Sequence, residues 1–125
     1  MRFAASFISS LSLVLVACAH SPEQYTLAEK QYIDRVLRKI EIIGEHRYPA
    51  LTRGLDKPVE LVVAFQISHG GSLQGVHILR PSDKPAIDNA MLELIRYSAP
   101  YPPMPDSIVK ATLTIQKRWL FRPTN

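Results

Sequence analysis

A single cysteine, Cys18, is present in 125 residues, so the chain can form no internal disulfide and no thiolate metal site. The four histidines, His20, His46, His69 and His77, are scattered, and no two fall at helical metal-ligand spacing, so no metal site is expected. There is no Gly-x-Ser-x-Gly elbow, and Gly70-Gly71 is not a phosphate-cradling loop. Ser68 and Ser72 flank His69 within one turn, where they cannot converge as nucleophile and base. Asp83, Asp88 and Glu93 fall at the start and on the solvent side of a helix, where carboxylates favour the helix dipole, so paired acid–base work has no support. A non-enzymatic protein without a cofactor is therefore expected. Fifteen Lys and Arg stand against 11 Asp and Glu, and the net charge of +4 is mild and interspersed. That excludes a nucleic-acid footprint and leaves only a weak attraction to anionic membrane surfaces.

A bilayer-spanning run is also missing. The apolar stretch from Phe3 to Ala17 is shorter than the roughly 18–20 residues needed to cross a membrane. With Arg2 ahead of it and small residues at its exit, it reads as a secretory signal. Leu15-Val16-Ala17-Cys18 has the form of a bacterial lipoprotein processing site, at which the thiol takes a diacylglycerol and becomes the acylated N-terminus. Residues 1–17 are then a signal peptide, residues 18–26 a short tether carrying lipidated Cys18, and residues 27–125 one domain. The competing reading is an uncleaved anchor or ordinary signal with an incidental cysteine. Ala19, where an aspartate would hold an enterobacterial-type lipoprotein at the inner membrane, favours the outer membrane. The expected location is the cell envelope, lipid-anchored and facing the periplasm.

Two capping boxes, Ser21-Pro22-Glu23-Gln24 and Thr26-Leu27-Ala28-Glu29, announce a first helix. Its apolar face is Tyr32/Ile33, Val36/Leu37, Ile40 and Ile43, and Gly44 is the natural stop. Residues 45–57 read as an ordered connection. Val59, Leu61, Val63, Phe65 and Ile67 alternate with their neighbours as a half-buried strand. Ser68 to Ser72 forms a hairpin turn, and a second strand returns from Leu73 to Leu79. Pro85 opens a second helix with Ile87, Ala90/Met91 and Leu94/Ile95 inward, ending before Pro100. The prolines of residues 99–107 make an extended crossover. In the last strand Val109, Ala111, Leu113, Ile115, Trp119 and Phe121 share one side, with Lys110, Thr112, Thr114, Gln116, Arg118 and Arg122 on the other. Trp119 and Phe121 are expected to close the core.

Hairpin, helix and strand in this order make a split β-α-β unit with spatial order 2-1-3. The fold class is α+β: a small three-stranded antiparallel sheet, two helices on one face, and the third strand at an edge. An edge strand offers unpaired N–H and C=O groups at every second residue.

Tyr48-Pro49-Ala50, the Val59–Gly71 strand and turn, the helix around Ile87-Asp88-Asn89-Ala90, Ala99-Pro100-Tyr101-Pro102-Pro103-Met104-Pro105 and the closing strand occur in an order that resembles the C-terminal domain of the TonB family, with its TolA-like relatives, over about residues 32–122. The resemblance implies a protein-binding module in energy-coupled transport across the outer membrane, taking an extended segment of an envelope or transport protein by strand addition. A TolA-like cell-envelope integrity module, or a structural homodimer through the same edge, is the alternative. Lys110, Thr112, Thr114, Gln116 and Arg118 are the expected partner-binding residues, with Tyr48 and Pro49 near the end of the groove. The family's transmembrane helix and long Pro/Lys-rich spanner have no counterpart in this sequence, so transmission of force between membranes by this chain alone is not expected.

Overall fold

The computed structural model describes residues 24–123. The expected signal segment, Cys18 and the tether as far as residue 23 lie outside the described residues.

Thr26 starts the first helix. Its hydroxyl accepts from the Glu29 N–H at 3.1 Å, and Glu29 Oε1 accepts from the Thr26 N–H at 2.9 Å, so this candidate box closes; the other begins at Ser21, which lies outside the described residues. Helix α1 runs from Leu27 to Arg47 and buries Tyr32, Ile33, Val36 and Ile40, the expected stripe. Gly44 does not end it. A Cβ at Gly44 would lie 2.9 Å from Leu94 Cδ2, so the glycine lets two helices approach rather than terminating one. The chain leaves the helix at Tyr48 and crosses residues 49–58 in turns and bends, with an isolated bridge residue at Arg53.

Strand β1 spans Val59–Ser68 and strand β2 Leu73–Arg80, followed by helix α2, Pro85–Ser98, and strand β3, Thr112–Phe121. The sheet order is β2-β1-β3 with both pairings antiparallel, as the split β-α-β reading requires. Leu61, Val63, Phe65 and Ile67 of β1 meet Leu113 and Ile115 of β3 and the inner faces of both helices in one core. Burial of this apolar surface is the main stabilising contribution.

Asp88 differs from its expected solvent position. It is buried, and its Oδ1 accepts from both the N–H and the hydroxyl of Ser82, at 3.0 and 2.6 Å, so it locks the turn ahead of α2. The proline-rich segment is a crossover, as expected, and it is pinned. The Tyr101 N–H donates to Gly71 C=O and the Met104 N–H to His69 C=O, both at 2.8 Å, while the Tyr32 hydroxyl donates to Pro102 C=O at 2.7 Å.

The last strand is shorter at its start than its alternation implies. Ile108 fills the core, Val109 is 91% exposed, and Lys110 and Ala111 are exposed ahead of the first strand residue, Thr112. Lys110 is therefore not a strand residue. From Leu113 to Phe121 the expected alternation holds. Trp119 and Phe121 are half-buried against the core, and Lys117 lies between Ile115 and Trp119 on that side.

Candidate strand-binding edge

Among the described residues β3 has one strand neighbour, β1, with Phe65 opposite Ile115 and Ala64 opposite Gln116. In an antiparallel strand the N–H and C=O of a given residue point the same way, and the direction alternates along the chain. The Ala111 carbonyl accepts from the His69 N–H, so odd-numbered residues face β1. Thr112, Thr114, Gln116, Arg118 and Leu120 consequently turn their backbone groups off the sheet.

The side chains of those residues belong to the face opposite the helices. There the Thr112 hydroxyl donates to Gln74 Oε1 at 2.9 Å, and Arg118 Nε lies 3.4 Å from Glu60 Oε2, with Arg80 on the other carboxylate oxygen at 3.3 Å. Four expected partner-binding residues, Thr112, Thr114, Gln116 and Arg118, are thus brought onto one edge. Lys110 is beside that edge but engaged elsewhere: its Nζ lies 2.7 Å from Glu29 Oε2.

Tyr48 and Pro49 sit at the far end of β3. Tyr48 joins Ile40, Gly44, Leu94, Trp119 and Phe121 around an apolar cavity of about 260 Å³. Its hydroxyl donates to Glu93 Oε2 at 2.9 Å, and Arg47 lies 3.9 Å from Glu93 Oε1 and stacks over the Tyr97 ring at 4.0 Å. This network ties the end of α1 to α2. Pro49 is exposed in the turn that follows.

One residue on the edge has no signal in the sequence. The Tyr25 hydroxyl donates to the Thr114 carbonyl at 2.7 Å and accepts from the Gln116 N–H at 3.4 Å. Burial pushes the Tyr25 phenol above its ordinary pKa, against the opposing pull of the Gln116 hydrogen bond. The residue precedes the Thr26 cap, where an aromatic usually staples to an apolar fourth helical residue; that position is Lys30, so the ring finds its partner in the sheet instead.

Among the described residues no group of three or more His, Cys, Asp or Glu could hold a metal ion, and no helix is long and apolar enough to cross a membrane. The arrangement can form backbone hydrogen bonds with an extended chain.

Two helices over a three-stranded open antiparallel sheet, with β3 at its edge, define an α+β domain of the TonB C-terminal type. Residues 29–116, more than two thirds of the chain, match the family described as TonB C terminal, and the chain belongs to that family. The solved C-terminal domain of HasB shares the fold, with a TM-score of 0.51 and 18% identity over 81% of this chain and 79% of that one. No curated protein matches the chain.

Proposed function

We propose that this is a periplasm-facing, non-enzymatic lipoprotein, anchored through Cys18, whose TonB-type domain binds an extended segment of an envelope transport protein by strand addition to β3, as an accessory to energy-coupled transport. The observation that carries the reading is the outer edge of β3. Between Thr112 and Leu120 alternate residues turn donors and acceptors away from β1, and no strand among the described residues takes them. Each neutral backbone hydrogen bond gained contributes about 0.5–1.5 kcal/mol net, so four or five bonds together support a specific complex. Membership of the TonB C-terminal family supports the partner class, and the Leu15–Cys18 site supports the anchor.

The test is a photo-crosslinking benzophenone side chain placed at position 118 of the full chain in intact cells. A discrete adduct to an envelope protein is expected. Thr114→Pro, whose lost N–H faces outward, should abolish it and keep a cooperative thermal melt. Ile115→Pro removes an N–H that faces β1, and should cost about 3 kcal/mol or more. An adduct at twice the mass of the chain, equally sensitive to Thr114→Pro, would instead establish the homodimer. Absence of any adduct sensitive to Thr114→Pro sinks both. In the same cells Cys18→Ser should release the protein from membranes or leave it unprocessed; normal processing with unchanged membrane retention overturns the anchor.

A further inference from the structure

We propose that Tyr25 gates the β3 edge: its hydroxyl holds the Thr114 carbonyl and the Gln116 N–H, and a partner strand pairs with the centre of β3 only when Tyr25 swings away. The inference rests on the strand-addition reading above and adds to it a competitor from within the chain.

The geometry is that of substitution. A strand added to β3 in either direction must bond the outward-facing groups of alternate residues, and those of Thr114 and Gln116 lie at the middle of the edge. The Tyr25 hydroxyl serves both, as donor at 2.7 Å and acceptor at 3.4 Å, in place of the C=O and N–H of an incoming backbone. The Gln116 N–H has one proton to give, and the phenol stands where an incoming backbone would have to reach both groups. The ring also takes space. Tyr25 lines a groove with Ile33 and Leu37 of α1 and Lys117 of β3, the channel on the helix side of the edge into which every second side chain of an added strand would point. Both the backbone and a side chain of one partner residue are thus mimicked by a single tyrosine.

The gate can open without loss of the helix. Tyr25 lies immediately before Thr26, whose capping box with Glu29 and the Glu29–Lys110 pair fix the start of α1 independently of the phenol. Rotation of the Tyr25 side chain is enough to free the edge. The gate is weak by construction: the 3.4 Å contact adds little to the 2.7 Å bond, and one neutral hydrogen bond corresponds to roughly a 2- to 12-fold handicap on partner binding.

Tyr25→Phe in the full chain keeps the ring and removes the competing oxygen. Two readouts are needed. Amide hydrogen exchange should become several-fold faster at Gln116 and stay unchanged at Ile115, whose N–H is bonded to β1. The yield of the position-118 crosslink in cells should rise by roughly 2- to 12-fold. Tyr25→Leu, which fills the groove without an oxygen, should act in the same direction, and an unchanged melt shows that neither variant works by unfolding. Unchanged exchange at Gln116 in both variants overturns the gate, and so does faster exchange with an unchanged crosslink yield. No crosslink in wild type or variants overturns the strand-addition reading and the gate with it, whatever the exchange rates show.

Discussion

Lys110 Nζ lies 2.7 Å from Glu29 Oε2, joining the first turn of α1 to the approach to β3. Glu29 is 3% exposed, and its other carboxylate oxygen accepts from the Thr26 N–H, so both oxygens of a buried charge are used. Lys110→Met leaves that carboxylate without its cation. The expected cost is about 1–3 kcal/mol in denaturant unfolding, more than a solvent-exposed pair contributes. Glu29→Gln, which keeps a capping-box partner for Thr26 and removes the buried charge, should cost less than Lys110→Met. The reverse ranking would show that the Glu29 charge contributes at the helix N-terminus independently of Lys110.

The same carboxylate predicts how stability varies with pH. Burial pushes the Glu29 carboxyl up, but hydrogen bonds from Lys110 and Thr26, with the lysine charge, outweigh it and hold the pKa below the ordinary 4.5. A carboxyl with a lower pKa folded than unfolded binds fewer protons in the folded state. Its contribution is therefore complete above 4.5 and is lost as pH falls through the lower folded value. Denaturant unfolding at a series of acidic pH values should show that loss in the wild type, and Lys110→Met, which lets burial bring the folded pKa back up towards the unfolded one, should shrink or reverse it. An acid limb identical in both proteins would remove Glu29 from the account.

Gly71 and Gly70 are neighbours in one turn and should respond oppositely to the same change. Gly71 has φ +100°, and a Cβ there would lie 2.1 Å from the Tyr101 carbonyl oxygen, a backbone atom held in the crossover. Gly71→Ala must break the bond between Tyr101 N–H and Gly71 C=O that seats that segment, at an expected cost of about 3 kcal/mol or more. A Cβ on Gly70 meets nothing within 4 Å, so Gly70→Ala should stay within about 1 kcal/mol of wild type. Equal melting temperatures for the two variants would contradict this packing.

Much of this fold is legible in the sequence because burial imposes a period. Tyr32, Val36 and Ile40 announce a helix face, Val59 to Ile67 a half-buried strand, and the hairpin–helix–strand order fixes the sheet as β2-β1-β3. What the sequence hides depends on distant partners. Gly44 reads as a stop until Leu94 is placed against it, and Asp88 reads as solvated until Ser82 satisfies it. Side-chain alternation places Thr114 and Gln116 on the open face, but that they and not Leu113, Ile115 and Lys117 turn their N–H groups outward follows only from the register with β1. Tyr25 is hidden for the same reason: its partners are backbone atoms far along the chain.

The central position of β1 also governs how the chain folds. The β1–β2 hairpin is local and can close on the order of microseconds, whereas pairing β3 with β1 must close a loop that contains β2, α2 and the proline-rich crossover, which is intrinsically slower. Until then the most apolar strand of the domain keeps one flank unpaired, and Val59 to Ile67 is the segment on which unfinished chains would associate. Variants that delay the docking of β3 should therefore lose yield to aggregation at concentrations where the finished domain remains monodisperse.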